Sequence, residues 1–108
     1  MILMTLDYRG LVSKPKKVVV CKLVEDQHID VLFLQESMGN GILFADELES
    51  MLRGWNFLSL DARGKSGGLL LGWRSRFFHL LNAWGVGSVL CASLFSIELN
   101  LDVCLANI

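Results

Sequence analysis

The residues from His28 to Ser37 constrain the fold more than any other stretch of this sequence. Five of the six residues from Ile29 to Leu34 are apolar, and most are branched or aromatic, which is typical of a strand buried on both faces. A carboxylate, Glu36, follows this strand almost at once. In open α/β sheets, ligands bind at the carboxyl ends of the strands, so Glu36 is a candidate site residue. The alternative is a solvated turn residue, the usual role of an acid at a strand end.

The residues before this stretch predict a strand, helix, strand unit. Met1 to Leu6 form a short apolar run that ends at Asp7, so a first strand also delivers a polar group at its end. Ser13, followed by Lys14-Pro15, is a helix-start signal, and the helix should run to about Gln27. Such a unit has parallel strands, so Asp7 and Glu36 are expected to emerge at the same sheet edge.

Both helices are expected to be amphipathic. In the first, Val20, Leu23 and Val24 share one face, and Lys17 lies outside that face. A second helix is predicted from Phe44, Leu48, Met51 and Leu52, with Gly54 placed to end it. Trp55 to Leu60 then reads as a strand, residues 61–68 as a polar, glycine-rich turn, and Leu69 to Leu71 as the returning strand.

The second half of the chain predicts antiparallel strands. Leu80 to Ile97 carries no formal charge over 18 residues, which reaches the lower limit for a membrane helix. Against a membrane span, apolar residues alternate with polar or small ones from Phe95 to Leu105, the period of strands with one buried face. We therefore expect antiparallel strands in a meander and no membrane partner. The residues expected on the buried side are Phe95, Ile97, Leu99, Leu101, Val103 and Leu105.

Composition indicates that the apolar surface needs a cover. The 108 residues suffice for one domain, yet 53% are hydrophobic and only 19% are charged. A larger fold or a partner would provide that cover. The net charge of −1 offers no overall basic footprint for nucleic acid. Three scattered cysteines, Cys21, Cys91 and Cys104, and the absence of a signal-peptide pattern indicate buried thiols in an intracellular protein, nuclear or cytoplasmic and not secreted.

Three short motifs resemble the endonuclease/exonuclease/phosphatase superfamily in their order and spacing. They are Asp7-Tyr8-Arg9-Gly10-Leu11, Leu34-Gln35-Glu36-Ser37 and Ser66-Gly67-Gly68. The likeness is greatest to the endonuclease domain of plant LINE-type (non-LTR) retrotransposon polyproteins, which share a G-W-x-F-x-S-L-D-A-R-G-x-S-G-G-L-x-L-G-W pattern. This pattern is similar to residues Gly54 to Trp73.

The resemblance implies an α/β (α+β) fold, a four-layer αββα sandwich that hydrolyses DNA phosphodiesters with Mg²⁺ or Mn²⁺. According to this resemblance, Glu36 corresponds to the metal-binding glutamate of the family, and Asp7 occupies the position where the family has asparagine. Asp7 keeps an oxygen ligand but adds a negative charge near Glu36. Arg9, Lys65 and Ser66 would lie near the phosphate or the nucleic acid. An ordinary hairpin turn explains Ser66 equally well, and solvated loop cations are the alternative for Lys65 and Arg63.

The family's remaining machinery, a D-x-N motif and a terminal D-H pair, has no counterpart in this sequence. His28 and His79 match no catalytic position and are expected to be structural or surface residues. Residues 1–108 are therefore expected to be a partial domain, truncated at the C-terminus, with weak or absent metal binding and no activity alone. The alternative is a non-catalytic interaction protein that uses exposed apolar strands, with self-association through open strand edges.

Overall fold

The computed structural model describes residues 1–8, 14–36, 41–61, 68–86 and 89–107. Two helices and seven strands form two sheets, with the order β1-β2-β4-β3 in the first sheet and β5-β6-β7 in the second. This mixed α+β architecture, with a βαβ start followed by antiparallel strands, confirms the predicted fold class. The elements are β1 Leu3–Tyr8, α1 Lys14–Asp26, β2 Val31–Glu36, α2 Gly41–Met51, β3 Trp55–Asp61, β4 Gly68–Arg74, β5 Phe78–Val86, β6 Val89–Ser96 and β7 Leu101–Asn107.

Strand β2 is the centre of the molecule because it is buried on both faces. Leu32 and Leu34 pack among the residues of α1 and α2, whereas Val31 and Phe33 pack against the second sheet. Successive side chains of a strand point to opposite faces, so an unbroken apolar run can serve two cores at once. The described part of the chain therefore forms three layers: helices, first sheet and second sheet.

The buried stripe of α1 differs from the predicted one. Val20 and Val24 are buried as expected, but Leu23 is 40% exposed and Lys17 is only 4% exposed. The buried stripe consists of residues 17, 20, 21 and 24, which have the spacing of one helix face. It therefore includes Lys17, which was expected outside it, and excludes Leu23, which was expected within it. Lys17 forms an ion pair with Glu47 of α2. A buried charge requires such a partner, so this pair ties the two helices together.

The junction between α2 and β3 follows the sequence signal. The amide of Leu52 donates to the carbonyl of Leu48 over 2.8 Å, which closes the last turn. Gly54 has a positive φ of 77°, the left-handed conformation in which glycine commonly ends a helix. Trp55 then begins β3, so Gly54 ends the helical segment as predicted.

The uncharged run from Leu80 to Ile97 forms most of β5 and all of β6, as the alternation predicted. No helix in the described ranges is both long enough and apolar enough to cross a membrane. The face assignment was wrong for Ile97, Leu99 and Leu101, which are exposed. It was also wrong for β6, where Ala92, Leu94 and Ser96 are buried and Phe95 is only partly so. Residues 97–100 form a turn that pairs Ser96 with Leu101, so even-numbered residues of β6 share a face with odd-numbered residues of β7. The alternating pattern of buried and exposed residues in β6 therefore does not continue in step through the turn into β7.

The three cysteines occupy different environments. Cys21 is buried in α1, and its burial, with a smaller contribution from Glu25, raises the pKa of its thiol. Cys91 is partly buried in β6, and Cys104 is exposed in β7. The expectation of buried thiols was therefore wrong for Cys104, because its position on β7 faces away from the core between the sheets.

Gly72 makes possible a close approach between β4 and an aromatic side chain. It lies opposite Phe57 of β3, and a Cβ atom at Gly72 would lie 2.5 Å from Cε1 of that ring. The ring is also stacked on Trp55, with centroids 6.1 Å apart, and moving it aside would disturb that contact. We expect Gly72→Ala to lower the free energy of unfolding by about 1–3 kcal/mol, measured by urea denaturation, because overpacking costs that much.

Gly85→Ala is the matched control for this prediction, since the nearest atom to its added Cβ would be 3.8 Å away, an ordinary contact. Combining Gly72→Ala with Phe57→Leu should recover part of the loss, because the smaller side chain vacates the space. Equal losses in the two glycine variants would contradict the steric explanation.

Candidate functional site

The first two strands end side by side at one edge of the first sheet. β1 and β2 are parallel and in continuous register, from Leu3 opposite Val31 to Tyr8 opposite Glu36. Asp7 is paired with Gln35, one residue before Glu36. The predicted parallel arrangement is therefore confirmed, and the backbone brings both acidic residues to the same edge. We call this edge, defined by Asp7, Tyr8, Glu36, Gly68 and Asp61, the carboxyl edge.

Two further strands reach the carboxyl edge. Gly68, at the start of β4, is paired with Glu36 on one side and with Asp61, at the end of β3, on the other. Tyr8, Glu36, Gly68 and Asp61 thus form a row across all four strands. Neighbouring strands lie about 4.8 Å apart, so the Cα atoms of Glu36 and Asp61 are separated by roughly 10 Å.

Asp61 ends β3 and belongs to this row, although residues 61–68 were predicted to be a turn. The strand order explains this position, because β4 is antiparallel to both β2 and β3, so β3 runs in the same direction as β2. Its last residue must then lie at the same edge as Glu36. A polar residue at the end of any strand that runs parallel to β2 therefore lies at the carboxyl edge.

Several predicted site residues lie outside the described part of the chain. They are Arg9, Lys65 and Ser66, and the side chains of Asp7 and Glu36 are also outside it. The residues flanking the segment with Lys65 and Ser66 are Asp61 and Gly68, and both lie in the row described above. Metal ligation by Glu36 and Asp7, and nucleic-acid contact by Arg9, Lys65 and Ser66, stay predictions.

The described side chains contain no alternative metal centre. Among them, no group of three or more histidine, cysteine, aspartate or glutamate residues could hold an ion. His28 is exposed at the end of α1, with a positive φ of 53°, and precedes β2 at the edge opposite Glu36. His79 is exposed in β5, paired with Phe95. Both are surface residues, as the sequence indicated.

A small cleft lies at the other end of the molecule. It has a volume of about 70 Å³ and is lined by Met1, Asp30, Phe77, Phe78, Ser96, Glu98 and Leu99. Asp30 and Met1 precede β2 and β1, so the cleft lies at the amino ends of these strands. A cleft of this volume can hold ordered water.

The comparisons with known proteins identify the fold. The sequence matches no family model and no curated protein. The structure resembles an endonuclease/exonuclease/phosphatase family protein from Bacteroides thetaiotaomicron, with a TM-score of 0.74 and 10% sequence identity over 97% of this chain and 47% of that one.

Two further solved structures show the same likeness. D. rerio TDP2 complexed with a single-strand DNA product gives a TM-score of 0.71 with 13% identity, covering 96% of this chain and 43% of that chain. The mannosyl-6-phosphatase Bt3783 of B. thetaiotaomicron gives 0.73 with 10% identity, covering 97% and 49%. The described elements therefore adopt part of the endonuclease/exonuclease/phosphatase fold, and the chain spans about half the length of these structures.

Proposed function

We propose that this chain forms one side of the active site of a divalent-metal-dependent phosphodiesterase. The parallel register of β1 and β2 carries the proposal, because it brings Asp7 and Glu36 to one edge of the sheet. The shared fold supports the same reaction class, since solved structures with that fold are named as phosphatases and as proteins bound to a DNA product. The finer assignment, a DNA-nicking endonuclease of retrotransposon type, is supported by the sequence motifs around Asp7, Glu36 and Ser66.

The carboxylate oxygens at the carboxyl edge are suitable ligands for a hard cation. Carboxylate oxygens are the ligands that Mg²⁺ takes in proteins, usually one or two together with water and substrate phosphate. When bound, such an ion neutralises charge on a phosphoryl group and stabilises the leaving oxygen. Glu36 would hold it, with Asp7 at the same edge but paired with the preceding residue, Gln35. Arg9 and Lys65 would attract the nucleic-acid backbone.

The strand that carries Glu36 is well supported for this role. Val31 to Leu34, immediately before it, are buried on both faces, in the helix-facing core and in the core between the sheets. A metal ligand needs a rigid support, and a strand with packing on both faces provides one. The sequence contains no D-x-N motif and no D-H pair, so this chain alone is expected to bind metal weakly and to lack turnover.

The test is paramagnetic broadening of backbone amide signals by Mn²⁺. We expect the signals of Tyr8, Gln35 and Asp61 to broaden first, and those of Asp30 and Ser96, at the opposite end, to stay sharp. Glu36→Gln should raise the Mn²⁺ concentration required by about tenfold or more, because it removes a charged ligand. Glu49→Gln, an exposed site on α2, is the matched control and should change nothing.

Broadening centred elsewhere, or unchanged by Glu36→Gln, would refute the metal site. A parallel assay follows nicking of supercoiled DNA with Mg²⁺, where we expect no turnover above the blank. Turnover that Glu36→Gln abolishes would confirm the site but disprove the claim of inactivity alone.

A second candidate function is a non-catalytic interaction module. In β5 of the second sheet, Leu81 is 53% exposed and Trp84 is 38% exposed. An exposed apolar set of this kind is typical of a surface that another polypeptide covers. Absence of any Mn²⁺ effect at the carboxyl edge, together with stable association, would favour this function over the enzymatic one.

A further inference from the structure

Gln35 lies at the rim of the core between the sheets. Val31 and Phe33, on the same strand, pack into that core, and Phe33 is 1% exposed. Alternate residues of a strand share a face, so Gln35 continues this face one step beyond Phe33. Gln35 is nevertheless exposed. The core between the sheets therefore ends at Phe33 along β2, and the Gln35 side chain is open to solvent at the carboxyl edge.

The exposure of Gln35 does not come from an unpaired strand edge. β2 is a central strand, with β1 on one side and β4 on the other. Gln35 is paired with Asp7 on β1 and with Leu69 on β4, and Leu69 packs against the core between the sheets. The Cα atoms of Gln35 and Asp7 are about 4.8 Å apart, the usual spacing of neighbouring strands. Gln35 thus lies inside the candidate site, directly before Glu36 in the sequence.

We propose that Gln35 is a substrate-binding residue, whose side-chain amide donates a hydrogen bond to a non-bridging oxygen of the phosphodiester. This inference rests on the proposed function and adds a substrate contact to it. Asp7 and Glu36 bring negative charge to this edge, which disfavours an anionic phosphate unless other groups attract it. A glutamine amide offers two N–H donors and carries no charge, so it binds phosphate without competing with the metal ligands. Glutamine is among the side chains that contact phosphate oxygens in protein–DNA complexes.

The contact can be measured because the sequence contains only two glutamines, Gln27 and Gln35. Gln27 is exposed just after α1 and precedes β2, so it lies at the end of the first sheet opposite the carboxyl edge. NMR follows the side-chain amide signals of both residues while the chain is titrated with the dinucleotide TpT in the presence of Mg²⁺. We expect the Gln35 signals to shift in a saturable manner and the Gln27 signals to stay in place.

Substitutions at these two positions separate substrate binding from metal binding. Gln35→Leu should raise the dissociation constant for TpT about tenfold, because it removes a hydrogen bond to a charged acceptor. It should change the Mn²⁺ concentration that broadens Tyr8 and Asp61 by less than twofold. Gln35→Glu, which keeps the size of the side chain but replaces the donors with a negative charge, should weaken TpT binding at least as much. Gln27→Leu is the matched control and should change neither quantity, and circular dichroism checks that all three variants remain folded.

Three results would overturn the proposal. They are the absence of a shift in the Gln35 signals at millimolar TpT, an affinity for TpT that Gln35→Leu leaves unchanged, and a loss of Mn²⁺ broadening in Gln35→Leu. The last would mean that Gln35 supports a metal ligand instead of binding the substrate. Failure of the metal site has a different signature, in which Mn²⁺ leaves Tyr8 sharp in the unsubstituted chain while TpT still shifts the Gln35 signals.

Discussion

Replacing Phe33 with alanine is expected to lower the free energy of unfolding by about 3–5 kcal/mol, the usual cost of removing a buried phenylalanine. Phe33 is 1% exposed and is the largest fully buried side chain described. It extends from β2 into the core between the sheets, where Leu71, Trp73 and Leu94 are also buried. Its loss would open a cavity between the two sheets. Domains of this size are typically stable by only about 5–15 kcal/mol, so the variant should be largely unfolded in mild denaturant.

Phe77→Ala is the matched control, because it removes the same side chain from an exposed turn between β4 and β5. Its expected effect is smaller, about 1–2 kcal/mol, because Phe77 is 36% exposed and only part of its ring is covered. Urea denaturation followed by tryptophan fluorescence measures both variants. Equal effects in the two would show that the core between the sheets contributes little, and that the two sheets are not one cooperative unit.

Phe33→Ala also tests the link between packing and the candidate site. Phe33 precedes Glu36 by three residues on the same strand. If the core between the sheets holds that strand in place, the variant should lose Mn²⁺ broadening at Gln35 even under conditions where the helices persist. If the broadening is retained, packing against the helix-facing core alone is sufficient to hold the strand that carries Glu36.

Much of the fold could be predicted because the local patterns agree with the tertiary structure. The apolar run before Glu36 required burial on both faces, and a helix between two strands required parallel pairing. Gly54 marked the end of α2 because few residues other than glycine adopt a positive φ at low cost. Alternation in the second half indicated strands and argued against a long apolar helix.

The errors occurred where a long-range contact decided the outcome. Lys17 is buried because Glu47, thirty residues away on α2, provides its countercharge. No pattern within α1 reveals that partner. Ser96 is buried in place of Phe95 because a four-residue turn sets which residues of β6 and β7 share a face. The hydroxyl of Ser96 accepts a hydrogen bond from the amide of Leu99 over 3.2 Å, which stabilises that turn.

The candidate site was predictable in part. The placement of Asp7 and Glu36 at the same edge followed from the βαβ rule alone, and the parallel register of β1 and β2 confirms it. Asp61 required knowledge of the strand order, since β4 is inserted between β2 and β3. The order cannot be read from a hairpin signal, which specifies that β3 and β4 pair but not which of them lies beside β2.

At the opposite end of the first sheet, Arg74→Met is expected to lower the free energy of unfolding by about 2–3 kcal/mol. The Nε of Arg74 donates to the carbonyl of Ile29 over 2.8 Å and lies 3.7 Å from Oδ1 of Asp30, while its guanidinium carbon lies 5.2 Å from the ring centroid of Trp55. A hydrogen bond to a charged group contributes about 1.5–3 kcal/mol, and a cation–π contact about 0.5–1 kcal/mol. The side chain is 27% exposed, so solvent screening places the sum below the upper limit of these ranges.

Methionine preserves most of the aliphatic packing of Arg74, so the variant mainly removes the charge and its hydrogen bond. Arg76→Met, an exposed position in the following turn, is the control and should change stability by less than about 0.5 kcal/mol. Asp30 still accepts a hydrogen bond from the amide of Ile2 over 2.9 Å, so its carboxylate remains partnered. Amide hydrogen exchange should therefore accelerate at Val31 and Trp55 before it does at Gln35. Uniform acceleration would instead mean that Arg74 stabilises the whole sheet, and that the two edges do not loosen independently.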